Sequence, residues 1–166
     1  GRAEGLILIE GQAVDYPPEA QDQFEAEFEK FDVDGMVSVE RAQWAAPFCS
    51  GEHTYASNPG LVEHWIQRWT TKIPSRAVWA QGTSWVRKPD ITEKLRGIDI
   101  PVLIVHAEGD MPVPIERGYS MLQNLPDATL VKVPKSGHTS NLENAEVVNY
   151  AILGFLDRIH RRREAA

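Results

Sequence analysis

Residues 100–143 read IPVLIVHAEGDMPVPIERGYSMLQNLPDATLVKVPKSGHTSNLE, in the order strand, acidic loop, helix, strand, histidine loop. Val102 to Val105 is an apolar run rich in β-branched residues, too short for a helix and bounded by Pro101 and Gly109, which predicts a strand buried on both faces. Asp110 follows it closely. Pro114 to Leu125 carries a helical pattern that opens on one proline and is stopped by the next, Pro126. Thr129 to Val133 gives a second short strand, and Ser136-Gly137 is a sharp exit that presents His138. In an open parallel sheet the reactive groups collect outside the carboxyl ends of the strands. Two strands joined by one crossover helix fall close together, so Asp110 and His138 are expected as neighbours. Taken singly, an aspartate after a strand is more often a turn residue or a cap, and a lone histidine is usually structural. The pair carries more weight than its parts.

These residues resemble the last part of the α/β-hydrolase fold, in which a G-x-x-D-x-x-V-P-like stretch carries the acid of a catalytic triad and a G-H loop carries its base. The first stretch stands here as Ala107-Glu108-Gly109-Asp110-Met111-Pro112-Val113-Pro114, with Ala107 where the family often has glycine. The second is Ser136-Gly137-His138-Thr139-Ser140-Asn141-Leu142-Glu143, whose tail is similar to the 3-oxoadipate enol-lactonase branch and its esterase and C–C hydrolase relatives. The resemblance implies Asp110 as triad acid, His138 as base, and no cofactor or metal. Glu10 is a competing acid, since some members take theirs from the end of an earlier strand; its plainer reading is a solvated loop carboxylate.

Composition sets the outer limits. A chain of 166 residues, 42% hydrophobic, can bury one core, and it holds no apolar run of membrane-spanning length. A formal charge of −7 excludes electrostatic attraction to nucleic acid or an anionic membrane. The single Cys49 cannot form an internal disulfide and fits a reducing cytosol, so a cytoplasmic protein is expected. The first residues, Gly1-Arg2, lack an initiator methionine, which suggests a processed or partial chain.

From the start, Leu6-Ile7-Leu8-Ile9 is a buried-strand run. Helices are expected over 18–31, with Phe24, Phe28 and Phe31 on one face; over 35–48, with Trp44 and Phe48; over about 58–73, where Leu61, Val62, Trp65, Ile66, Trp69 and Ile73 recur at three- and four-residue steps; and over 75–86, interrupted by Gly82. Residues 49–59 read as a turn-rich loop. Its Cys49, Ser50 and His53 are too close in sequence to meet the geometry of an activated nucleophile, and no second His or Cys cluster completes a metal site. Four short helices between two strands look like the cap of the resembling branch. Residues 1–17 then form a core strand and loop, 18–88 a helical cap, and 89–166 the C-terminal part of the core. Trp44, Trp65, Trp69 and Trp85 are expected to line an apolar pocket for a small acyl compound, although any one of them could serve packing alone. The last helix, 145–159, has a buried stripe of Val147, Val148, Ala151, Ile152, Phe155, Leu156 and Ile159, with solvated arginines at its C-terminal end.

One component is missing. A hydrolase of this kind needs a nucleophile on a tight strand-to-helix elbow in a G-x-S-x-G-like context, and Ser50, Ser120, Ser136 and Ser140 all have the wrong neighbours. The Gly-rich oxyanion loop is absent too. Three parallel strands would also leave an open edge and uncovered faces. The expectation is therefore an α/β chain that is part of a larger hydrolase acting on an ester, lactone or related carbonyl compound, with the N-terminal half on another chain or supplied through a homodimer. The alternatives are a non-catalytic binding module and an inactive fragment.

Overall fold

The computed structural model describes residues 3–165. In chain order the elements are β1 (Leu6–Ile9), α1 (Pro18–Glu29), α2 (Val39–Cys49), α3 (Glu52–Ser57), α4 (Pro59–Lys72), α5 (Ser75–Val86), α6 (Thr92–Leu95), β2 (Val102–Ala107), α7 (Ile115–Asn124), β3 (Ala128–Val133), α8 (Ser140–Glu143) and α9 (Ala145–Glu164). The strands form one parallel sheet in the order β1-β2-β3, with Ile9 opposite Val105 and Ala107 opposite Val133.

Strand β2 is buried at every position because its alternating side chains enter two different cores. Val102 and Ile104 meet Met121 of α7 and Leu125 at its C-terminal cap with Ala13 and Leu95, while Leu103 and Val105 meet Val133 and then Val148 and Phe155 of α9. Each of these four strand side chains contributes roughly 2 kcal/mol by leaving water. A third core of Phe31, Val37, Ala42 and Val78 ties α1, α2, α4 and α5 together. Among the described residues no helix is long and apolar enough to cross a membrane.

Several expectations need correction. The second helix begins at Val39, capped by Ser38, whose Oγ accepts from Arg41 N–H at 3.2 Å; Gly35 is left-handed at φ +93°, and Met36 bridges to Pro74 in an extended pairing. Residues 49–59 contain the helix α3 as well as turns. Leu156 is half exposed, off the buried stripe of α9. Arg158 and Arg162 are not merely solvated: both grip Asp127, just before β3, at 2.6 and 2.7 Å. Glu10 is buried. Among the described residues the outer edge of β1 has no strand beside it, and Tyr150, Leu153 and Leu156 of α9 stand 83%, 66% and 51% exposed.

Candidate active site

Asp110 is placed by the turn out of β2 and His138 by the turn out of β3. The two turns fit because Gly109 lacks a side chain: its N–H donates to Ser136 O at 3.1 Å, and a Cβ there would lie 2.9 Å from that oxygen. Asp110 is fully enclosed. Its Oδ1 accepts from Val113 N–H at 2.9 Å, and its Oδ2 accepts from His138 Nδ1–H at 2.9 Å. That bond selects the tautomer of His138 with a free lone pair on Nε2. Burial pulls the His138 pKa down, but the hydrogen bond and charge of Asp110, with the charges of Glu10 and Glu143, outweigh it and hold the ring above its ordinary value. The arrangement can accept a proton at Nε2 and stabilise the resulting imidazolium.

Glu143 fixes the histidine loop from the other side. Its Oε1 accepts from Gly137 N–H and the Thr139 hydroxyl, each at 3.0 Å, and its Oε2 accepts from Gly51 N–H at 2.7 Å and the Thr54 hydroxyl at 2.5 Å. One carboxylate therefore bolts the α2–α3 junction to the turn that carries His138. Thr139 N–H donates to Cys49 O at 2.9 Å, and its hydroxyl, 3.0 Å from that carbonyl as from Glu143, shares its one proton between the two acceptors. Gly51 and Gly137 pass so closely that a Cβ on Gly137 would lie 2.4 Å from Gly51 N. Here the α3 helix gains the start that its own sequence lacks, since the dipole at its N-terminus and the Gly51 N–H face Glu143.

His138 opens onto a cavity of about 470 Å³ bounded by α1, α2, α4 and α5, whose apolar wall includes Phe24, Phe28, Trp44, Phe48, Trp69 and Trp85. Trp65 lies elsewhere. It stacks on Trp69 with ring centroids 4.1 Å apart and lines a separate recess with Ser50, His64 and Arg68. Cys49 also borders the main cavity, but burial pushes its thiol up to about 12, so it is no thiolate nucleophile at neutral pH. His53 sits in α3 on the exterior.

Sequence reasoning missed the surroundings of Asp110. The Tyr16 hydroxyl donates to Pro112 O at 2.6 Å and burial lifts its phenol to about 12. His106 is enclosed, with Nε2 2.8 Å from Val113 O. Glu10, His106 and Asp110 bring potential ligand atoms within 4.8 Å of one another. Those nearest atoms are already engaged, His106 Nε2 by Val113 O, Asp110 Oδ2 by His138 and Glu10 Oε2 by Ala107 N–H, so the cluster is a poor metal site. The placement of His106 could be suspected from its position inside an otherwise apolar strand.

A family model described as TAP-like protein, of the α/β-hydrolase type, matches residues 67–164. Among curated relatives, a non-heme haloperoxidase of Rhodococcus erythropolis is 29% identical over 126 residues, 73% of this chain and 46% of that protein. A 2-hydroxy-6-oxo-6-(2'-aminophenyl)hexa-2,4-dienoic acid hydrolase of Metapseudomonas resinovorans is 29% identical over 94 residues, 54% of this chain and 32% of that one. A thermophilic esterase from Thermogutta terrifontis superposes with a TM-score of 0.83 at 27% identity, covering 96% of this chain and 57% of the esterase. The enol-lactonase of Burkholderia xenovorans shares the fold, with a TM-score of 0.80 at 18% identity over 94% of this chain and 57% of the lactonase. The chain thus spans about half the length of the relatives it matches. With the parallel sheet, the two loops at its carboxyl edge and a family model matched over more than half of its residues, the chain belongs to the α/β-hydrolase family.

Proposed function

We propose that this chain supplies the acid, the base and the cap of a serine hydrolase acting on neutral, largely apolar esters or related carbonyl compounds, with the nucleophile and oxyanion donors lying outside this sequence. The observation that carries the reading is the Asp110–His138 hydrogen bond at 2.9 Å with His138 bordering an aromatic cavity. In this reading residues 18–88 are the cap, residues 1–17 a core strand and loop, and residues 89–166 the C-terminal part of the core. The edge of β1, unpaired among the described residues, and the apolar face of α9 at Tyr150, Leu153 and Leu156 suit a further α/β layer packed there. That layer would belong to the same longer protein, a second chain or a second copy.

The chemistry would then follow the triad pattern. His138 Nε2 takes the proton of the serine hydroxyl as that oxygen attacks the carbonyl carbon, and returns it to the departing alcohol. Water repeats the cycle on the acyl-enzyme. Asp110 holds the tautomer and stabilises the imidazolium, while backbone N–H groups outside this sequence hold the oxyanion. No metal or cofactor takes part.

The cavity narrows the substrate. Among the described residues no lysine or arginine lines it, and Glu27 is its carboxylate. On the side of the site that this chain builds, a substrate's own carboxylate would meet Glu27 and no counter-ion, so neutral aromatic or alkyl esters are favoured over carboxylate-bearing compounds such as the dienoic acid in one relative's name. The 27% identical esterase supports the ester reading. The test is turnover by the assembled protein of paired neutral and carboxylate-bearing aryl esters. Preference for the neutral member, lost with His138→Ala, is expected; full turnover in that variant sinks the base assignment.

A further inference from the structure

Behind Asp110 lies a buried acid that the proposed chemistry does not use. Glu10 ends β1 in the left-handed region at φ +50°, a conformation costing a non-glycine residue roughly 1 kcal/mol. That turn carries its side chain under β2, where it is 6% exposed. Oε2 accepts from Ala107 N–H at 2.8 Å, whereas Oε1 is enclosed and, among the described residues, makes no well-formed hydrogen bond, the Ser140 hydroxyl being the polar group near the carboxyl. The carboxyl groups of Glu10 and Asp110 approach to within 4.8 Å.

The groups around this pair set its charge. From β2, His106 turns Nε2 to Val113 O and lies 3.8 Å from Glu10 and 4.0 Å from Asp110. From α8 come the enclosed Ser140 hydroxyl and Glu143; from the histidine loop comes His138; from the segment after β1 comes Tyr16; and from α2 comes Cys49. Among the described residues no lysine or arginine pairs with either carboxyl. One imidazolium can balance one buried carboxylate; a second anion would stand uncompensated in a site without water's screening.

We propose that the Glu10–Asp110 pair retains one proton at neutral pH, making Glu10 a positioning residue: a neutral acid that steadies Asp110 beside His138. Burial, foremost, and the charge of Asp110 raise Glu10 from 4.5 to about 7, against the pull of Ser140 and Ala107 N–H. Glu10 is therefore the member of the pair that keeps the proton. When it releases its proton to solvent above neutrality, a second negative charge faces His138 and raises the ring's affinity for its own proton. The consequence for catalysis rests on the proposed hydrolase reading; the proton itself does not.

Infrared spectroscopy of the unmodified protein at about pH 6, where ordinary carboxyls with pKa near 4 are ionised, should show a protonated-carboxyl band that disappears by about pH 8. Glu10→Gln, which keeps an acceptor for Ala107 N–H, should lose that band. In parallel, the NMR titration of the His138 ring should show two inflections in the wild type, one near pH 7 from the acid pair, and a single inflection in Glu10→Gln. A merely structural Glu10 would leave the ring titration unchanged. Absence of the band in the wild type, or superimposable His138 titrations, overturns the proposal while leaving the triad reading standing. Should Glu10→Gln fail to fold, presence or absence of the wild-type band and its midpoint decides alone. Conversely, full turnover in His138→Ala would sink the triad and leave the shared proton intact.

Discussion

Replacing Glu143 with alanine removes the bolt between the histidine loop and the α2–α3 junction. Its carboxylate accepts four hydrogen bonds, from Gly51 N–H, Gly137 N–H and the hydroxyls of Thr54 and Thr139. Hydrogen bonds to a charged group contribute about 1.5–3 kcal/mol each, but Glu143 is half-buried, so water reaches some of the freed donors and the carboxylate regains hydration. A net loss of about 3 kcal/mol is expected, equivalent to a fall in Tm of roughly 6–12 °C for a chain of this size. Glu143→Gln should fall between the two, because its single acceptor oxygen cannot serve both pairs of donors and its NH2 faces two of them. Denaturant unfolding followed by tryptophan fluorescence measures the loss, with exposed Glu63→Ala as a control expected within about 0.5 kcal/mol of wild type. If Glu143→Ala matched that control, the carboxylate would not be holding the loop, and the placement of His138 would need another cause.

Gly137→Ala should be more damaging than an ordinary surface change, by more than about 2 kcal/mol, because its Cβ would sit 2.4 Å from the backbone nitrogen of Gly51; retention of wild-type stability in a melt would deny the close approach. Gly82→Ala puts a methyl against the Phe28 ring, with a nearest distance of 2.1 Å. The ring must swing, and since it lines the cavity, turnover of bulky esters should drop more than that of small ones; an unchanged ratio argues that Phe28 does not shape the site. Stability should also fall as pH rises from about 4.5 through neutrality. Glu10, with its folded pKa raised from 4.5 to about 7, contributes stability that is full below about pH 4.5 and lost as pH rises through about 7. His138, also raised, adds stability present below its unfolded value of about 6.5 and lost above its folded one. Glu10→Gln should therefore gain on the order of 3 kcal/mol relative to wild type between pH 4 and pH 8; a difference independent of pH contradicts the raised value.

What the sequence revealed and what it hid divide along a physical line. The strands were legible over 102–105 and 129–133, which the structure extends to Ala107 and Ala128, because unbroken β-branched runs between prolines and glycines have few other solutions. The adjacency of Asp110 and His138 followed because one crossover joins their strands. The burial of Glu10 was not legible, since a carboxylate after a short strand has the same local sequence whether it meets water or the underside of the next strand. Helix α3 was hidden because the acceptor facing its first turn, Glu143, lies 92 residues away from Gly51. Arg158 and Arg162 of α9 meet Asp127 for the same non-local reason. Trp65 and Trp69 share one helical face in the sequence, yet they stack, and only Trp69 reaches the cavity. Helical periodicity identifies a face, but the neighbouring helices decide which part of it lines a void.

The central claim, an acid–base pair serving a serine from outside these residues, is tested most directly by treating the assembled protein with a fluorophosphonate and locating the adduct by denaturing mass spectrometry and peptide mapping. The account predicts an adduct on a serine outside this sequence, lost or greatly slowed in His138→Ala. An adduct on Ser50, Ser120, Ser136 or Ser140, or labelling that ignores the loss of His138, would contradict it.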